Sequence, residues 1–171
     1  MNALLAERDR ALLVTPDGYE QLRSELETLS TTGRREMNER LWEARQDGHL
    51  VNNPALYDLL EEQARLERRI TILGEQLAAA QISVPAGDGV AGIGSFVRVR
   101  DLQTGDAAEY ELVGPIESNV GNGRISTSAP VGRALVDHGA GAVVEAETPR
   151  GTLVLEILSV RAPNVPALEA A

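Results

Sequence analysis

The sequence contains neither cysteine nor lysine. The absence of cysteine excludes disulfide bonds, thiolate chemistry and cysteine-ligated zinc, and it is consistent with a reducing compartment. All sixteen basic residues are arginine, which we attribute to the coding bias of a GC-rich genome. The hydrophobic content of 43% is ordinary for a globular protein, so disorder is not expected. A length of 171 residues allows one ordinary domain or two small ones.

Long apolar runs are also missing. No stretch reaches the length of a membrane span or of the apolar part of a signal peptide, and the charged residues Glu7 and Arg8 follow soon after the start. We therefore expect no membrane association and a cytoplasmic location.

An excess of positive charge is absent from both halves of the chain. The formal net charge is -10. Residues 16–80 contain 8 arginines against 13 acidic residues, and residues 81–171 contain 6 against 11. A protein that binds duplex DNA neutralises phosphates with an excess of basic groups, so direct duplex binding is not expected.

Familiar catalytic motifs are missing as well. The sequence has no P-loop, no dinucleotide-binding glycine motif and no nucleophile elbow. The two histidines, His49 and His138, lie on separate predicted elements without the spacing of metal ligands. We therefore expect no catalytic residue, no metal site and no cofactor, and the protein is not predicted to be an enzyme.

A coiled-coil pattern dominates the first half of the chain. The first helix is predicted to begin at Thr15-Pro16, where a hydroxyl cap precedes a first-turn proline. Apolar residues then recur at intervals of three and four, which is typical of a coiled-coil seam. The seam consists of Tyr19, Leu22, Leu26, Leu29, Met37, Leu41 and Ala44. Gly33 interrupts it and predicts a local bend or loosening, since glycine costs about 1 kcal/mol relative to alanine inside a helix.

A second helix resumes after a break at Gly48. Asn53-Pro54 provides its cap and first-turn proline. Its seam is unbroken and includes one polar residue: Leu56, Leu59, Gln63, Leu66, Ile70, Leu73 and Leu77. The two stripes predict an antiparallel coiled-coil hairpin over residues 16–80, with helices roughly 40 to 48 Å long and a tip at residues 48–53.

Glycine and proline separate the hairpin from a second region. Residues 81–95 are predicted to be a linker. Alternating apolar residues then predict strands at 96–100, 107–113, 142–147 and 152–160. Together with a short helix over residues 128–135 they form a small antiparallel sheet domain at residues 96–161. Residues 1–15 and 162–171 are predicted tails, and the fold class is α+β.

This arrangement resembles the Gre-type transcript cleavage factors of bacterial RNA polymerase. Residues 16–26 are similar to the opening helix of that family, and residues 43–48 to the approach to its hairpin tip. Residues 125–135 and 148–151 are similar to parts of its C-terminal domain. The resemblance covers roughly residues 14–160.

The resemblance implies an FKBP-like fold for the sheet domain. It also implies that this domain docks at the rim of the polymerase secondary channel, while the hairpin enters the channel. Arg133 is then the expected polymerase contact. The positions that match the docking helix of the family are Ser128, Pro130, Gly132, Arg133 and Leu135. A helix that only completes the domain is the alternative. Bacterial RNA polymerase is the implied partner, and we expect the protein to be a monomer.

The hairpin tip departs from the family pattern. Two acidic residues in the family tip help to hold a second Mg²⁺ and a water that cleaves backtracked RNA. His49 and Asn52 occupy the matching positions here. Because Mg²⁺ prefers anionic oxygen ligands, we expect inhibition or modulation of transcription without stimulated cleavage. The predicted tip residues are Asp47, Gly48, His49, Leu50, Val51, Asn52 and Asn53.

Three alternatives stay open. Asp47 and Asp58 flank the tip and, in a shifted loop, could serve a genuine cleavage factor. An FKBP-like domain could be a prolyl isomerase, although its only aromatic residues are Phe96 and Tyr110. The helices could also pair between chains in a purely structural coiled-coil protein.

Overall fold

The computed structural model describes residues 12–46, 54–83 and 89–162. The described residues fall into two compact units, a helical unit within residues 19–79 and a sheet unit from the residues on either side. The chain therefore combines a long helical pair with a sheet, and the predicted α+β class is confirmed.

The helical unit contains one interrupted helix and one continuous helix. Helix α1 spans Pro16–Thr28, and its first turn belongs to the sheet unit. A π-helical turn at Leu29–Gly33, here called the π-turn, leads into α2 at Arg34–Gln46. Helix α3 spans Pro54–Ala79. The sequence predicted a bend or loosening near Gly33, and the structure has this extra-wide turn.

The helices pair as an antiparallel hairpin within one chain. Three ion pairs join the helices: Glu25 with Arg69, Arg34 with Glu67, and Arg40 with Glu62. As the residue number increases along α1 and α2, the number of the partner residue on α3 decreases, so the helices run antiparallel. Between the helices the seam side chains are buried or half-buried, with the lowest exposures at Leu22, Met37, Leu41, Ile70 and Leu73. The narrow apolar seam predicted from the sequence is therefore present.

Two short strands form a small parallel sheet in the sheet unit. Strand β1, Leu12–Val14, pairs with β2, Ala80–Ile82. The sequence analysis assigned residues 12–14 to a tail and ended the hairpin at residue 80. Strands of three residues are too short to show an alternating pattern, and their pairing joins segments far apart in the chain.

Five further strands form the main sheet. They are β3 at Phe96–Asp101, β4 at Ala107–Val113, β5 at Arg124–Ser126, β6 at Val143–Thr148 and β7 at Gly151–Arg161. Their order is β5-β4-β3-β7-β6, and every pair is antiparallel except β4 with β5, which is parallel. The sequence predicted an antiparallel sheet without β5, because this three-residue strand lacks a periodic signal.

A short helix covers the aliphatic core of the main sheet. Helix α4 spans Pro130–Leu135. The largest fully buried core side chains are Leu112, Leu135 and Ile157, with Val97 and Val99 beside them. Burial of a leucine or isoleucine side chain stabilises a fold by about 1.5–3 kcal/mol, so this cluster accounts for the stability of the unit.

Candidate functional site

The predicted hairpin tip lies outside the described residues. This applies to all seven of its members, residues 47–53. Asp58, the other acid weighed as a metal ligand, is exposed in the second turn of α3. Tyr57 beside it is 62% exposed. The composition of the tip is known from the sequence alone.

Two serines, Ser126 and Ser128, order the turn that precedes the predicted docking helix. Ala129 precedes α4 in an extended conformation and provides no side-chain cap, while Pro130 stands at the first helical position. The Ser128 amide instead donates to Oγ of Ser126 at 3.1 Å, and the two serine hydroxyls lie 2.7 Å apart. Pro130 has no backbone N–H and cannot donate a hydrogen bond. The two serines before it therefore provide the hydrogen bonds that order this turn.

Two of the predicted docking residues face inward. Leu135 is fully buried in the sheet core. Gly132 lies so close to β5 that a Cβ added there would be 2.0 Å from the carbonyl oxygen of Ser126. Only glycine permits this approach of helix to strand, so the family-like pattern at these two positions is explained by packing.

The other end of the pattern faces solvent. Ser128 and Arg133 are exposed, and Pro130 is half-buried. Among the described residues nothing forms an ion pair or side-chain hydrogen bond with Arg133. An exposed guanidinium with all its donors available can bind a carboxylate or carbonyl groups of another protein.

A buried carboxylate that no sequence pattern indicated stabilises the sheet unit. Glu117 accepts hydrogen bonds from the backbone amides of Thr15 and Gly114, at 3.0 and 3.1 Å, and from the Thr15 hydroxyl. Nη2 of Arg124 lies 3.2 Å from the same carboxylate. Thr15 Oγ1 also accepts from the Gly18 amide at 3.0 Å, so it caps α1 as predicted. Only the long-range fold brings Glu117 to this threonine.

The aromatic residues of the sheet unit do not form one pocket. Tyr110 is opposite Val97 in the β3–β4 pairing and packs against the core. Phe96 precedes Val97, so it lies on the opposite face of the sheet, where the Arg161 guanidinium is 5.6 Å from its ring centre. An aromatic-walled proline site of these two rings is therefore excluded by the strand geometry.

In the parts of the chain that the structure describes, no group of three or more histidine, aspartate or glutamate side chains is arranged to hold a metal ion. No helix in those parts is both long and apolar enough to cross a membrane.

Known families match both halves of the chain. The family described as transcription elongation factor, N-terminal, matches residues 12–82. The family described as transcription elongation factor, GreA/GreB, C-term, matches residues 86–162.

Individual relatives match over nearly their full length. The chain is 37% identical over 157 residues to the transcription elongation factor GreA of Clostridioides difficile, covering 91% of this chain and 99% of that protein. It is 38% identical over 151 residues to GreA of Thermomicrobium roseum, covering 86% and 96%. Among solved structures, GreA factor homolog 1 (Gfh1) of Thermus thermophilus is 31% identical, covers 89% of this chain and 99% of its own, and gives a TM-score of 0.41.

Proposed function

The chain belongs to the GreA/GreB family of transcription elongation factors, and we propose that it occupies the secondary channel of bacterial RNA polymerase without stimulating transcript cleavage. In this proposal a monomer docks through the sheet unit and inserts the hairpin. Transcription is then inhibited or modulated, because an occupied channel obstructs nucleotide entry or excludes true cleavage factors.

The observation that carries the proposal is the composition of the tip. No carboxylate occurs between Gly48 and Tyr57, and His49 and Asn52 stand at the positions where the resemblance to Gre-type factors implies two acidic residues. A neutral imidazole is a poor ligand for Mg²⁺, and an amide oxygen has no charge to offset that of the ion. Hydrolysis assisted by two metal ions requires both ions to be held, so this tip lacks the means to recruit the second.

The exposed arginine of α4 supports docking through the sheet unit. Arg133 presents its guanidinium to solvent from a helix whose inner face is fixed by Gly132 and Leu135. A helix fixed in this way is well suited to a protein contact, because its backbone has little conformational freedom left to lose on binding. Neither unit has the excess of basic charge that direct duplex binding requires.

The test is a purified, backtracked elongation complex with labelled RNA. The protein is expected to reduce multi-round transcription and to leave the backtracked RNA at its starting length. A double variant, His49→Asp with Asn52→Glu, restores two carboxylates and is the matched gain-of-function control. RNA shortening that depends on the unaltered protein would overturn the proposal. Asp47→Ala and Asp58→Ala would then show whether either flanking acid is responsible.

Docking is tested separately with Arg133→Ala. The variant is expected to bind polymerase more weakly while its unfolding curve stays the same. Arg98→Ala is the control, because Arg98 is also exposed in the sheet unit, on β3. Equal affinities of the Arg133→Ala variant and the unaltered protein would contradict a role for α4 in docking.

A further inference from the structure

The seam of the first helical segment contains one residue too many for a regular coiled coil. Met37 follows Leu29 by eight positions, whereas equivalent seam positions of a heptad repeat are seven apart. Because an α-helix turns by about 100° per residue, eight residues place the second side chain roughly 80° away from the first around the axis. A continuous α-helix would therefore carry Met37 and Leu41 away from α3.

The π-turn absorbs this additional residue. The amide of Arg34 donates to the carbonyl of Leu29, five residues earlier, as in a π-helix. The hydroxyls of Ser30 and Thr31 donate to the carbonyls of Leu26 and Glu27 at 2.5 and 2.7 Å. Serine and threonine bonds of this kind bend helices, so they favour a departure from α-geometry at this point.

The seam stays in phase after the π-turn. Met37 and Leu41 are 8% and 3% exposed, so both face α3. Two of the three ion pairs between the helices, one before the π-turn and one after it, show the same phase. Before the π-turn, Glu25 and Arg69 each precede a seam residue, and after it Arg40 and Glu62 do so as well. The π-turn thus keeps the two halves of the hairpin in one register.

The phase also decides which side chains line each flank of the distal hairpin. Trp42, Tyr57 and Leu60 each directly follow a seam residue, which puts all three on one flank. They are 63%, 62% and 41% exposed. The opposite flank at this level has the Arg40–Glu62 ion pair. At this level one flank therefore exposes three large apolar side chains, and the other has an ion pair.

We infer that the π-turn is a positioning device that fixes the rotation of the distal hairpin and thereby the flank on which Trp42, Tyr57 and Leu60 lie. Its importance for transcription rests on the proposed function, because only a hairpin inside a channel must present a particular flank to its surroundings. The rotation itself is a property of the chain alone, so it can be measured without polymerase.

The test uses the natural absence of cysteine, which lets two introduced cysteines report one distance. The distal reporter is Arg40→Cys with Glu62→Cys, and the proximal reporter is Glu25→Cys with Arg69→Cys. Each is treated with a short bifunctional thiol reagent. An alanine inserted after Thr32 raises the spacing from Leu29 to Met37 by one residue beyond what the π-turn absorbs, so it is expected to abolish the distal cross-link and to spare the proximal one.

Two control variants separate register from unfolding. Thr32→Ala, which removes a side chain without a hydrogen bond among the described residues, is expected to keep both cross-links. Deletion of Thr32 shortens the spacing from Leu29 to Met37 to that of a heptad, which a continuous α-helix keeps in phase without the π-turn, so it is also expected to keep both. A distal cross-link that survives the insertion overturns the inference, and so does one that the deletion abolishes.

The transcription assay then tests the functional part. The alanine insertion is expected to weaken inhibition while binding that depends on Arg133 is retained. Unchanged inhibition by an insertion variant that has lost the distal cross-link would contradict a role for the flank. If the unaltered protein neither binds nor affects polymerase, the proposed function fails, whereas the cross-linking result still decides the role of the π-turn.

Discussion

The two units use the same kind of ion pair in opposite surroundings. In the helical unit, Arg34 and Glu67 are each 45% exposed where they meet. In the sheet unit, the side chain of Glu117 is 2% exposed and its partner Arg124 is 18% exposed. Exposed pairs contribute about 0–1 kcal/mol, whereas removal of one member of a buried pair costs about 3–5 kcal/mol.

This difference matches how each unit is built. The helical unit has a narrow seam between helices, so most of its side chains stay in water. A substitution there changes the free energy of unfolding little unless it alters the register of the helices. The sheet unit encloses an aliphatic core and fastens the β1 segment with a carboxylate that accepts several hydrogen bonds. A change to a buried group there leaves donors without acceptors.

The largest expected effect comes from Glu117→Ala. It leaves the Thr15 and Gly114 amides and part of the Arg124 guanidinium without their acceptor, and we expect the free energy of unfolding to fall by about 3–5 kcal/mol. Urea unfolding followed by far-ultraviolet circular dichroism measures it. Glu109→Ala, which removes the exposed Arg161 pair on the same sheet, is the control. Equal losses in the two variants would refute the contrast between buried and exposed pairs.

The next largest effect is expected from Gly132→Ala. The added methyl group would be 2.0 Å from the Ser126 carbonyl oxygen, so helix and strand must separate. Overpacking of this kind costs about 1–3 kcal/mol, and the midpoint of urea unfolding should fall accordingly. An unfolding midpoint equal to that of the unaltered protein would show that α4 can move away from β5 without loss.

Elements in which an apolar pattern repeats many times were predictable from the sequence. Elements that depend on contacts between distant segments were not. The seam of α3 repeats from Leu56 to Leu77, so a single sequence reveals the helix and its inner face. Thr15 and Glu117 are 102 residues apart and no local pattern links them. The strands β1 and β5 have three residues each, too few for an alternation to stand out.

The candidate site divides in the same way. The sequence predicted a helix over residues 128–135, and α4 spans Pro130–Leu135. Arg133 is exposed, and its contact with polymerase stays a prediction. The inward orientation of Gly132 and Leu135 could not be predicted from the sequence. A helix of six residues is too short for a periodic pattern to separate its buried residues from its exposed ones. The π-turn is a mixed case. The eight-residue spacing is visible in the sequence. Whether the helix forms a π-turn, or stays α-helical so that its seam rotates away, depends on the partner helix.

A smaller and opposite effect is expected from Gly74→Ala in the helical unit. Gly74 lies inside α3, and a Cβ added there meets no atom within 4 Å. Alanine is favoured over glycine in a helix interior by about 1 kcal/mol, so the variant should be more stable by up to that amount. Thermal unfolding followed by far-ultraviolet circular dichroism measures the change. A lower melting temperature would mean that this part of α3 needs the flexibility of glycine.

The smallest effect is expected from Glu67→Gln, and pH should reveal it. The hydrogen bond from the Arg34 guanidinium lowers the pKa of Glu67. Because the folded-state pKa lies below the unfolded one, the pair stabilises the hairpin above the ordinary carboxyl pKa, and this contribution is lost as the pH falls through the folded-state pKa. Both side chains are exposed, so added salt should weaken the effect. We expect the melting temperatures of variant and unaltered protein to differ slightly at neutral pH and to converge in acid. Glu61→Gln on the same helix is the control. A difference of the same size for both variants, or one that persists in acid, would show that the Arg34 pair is not its source.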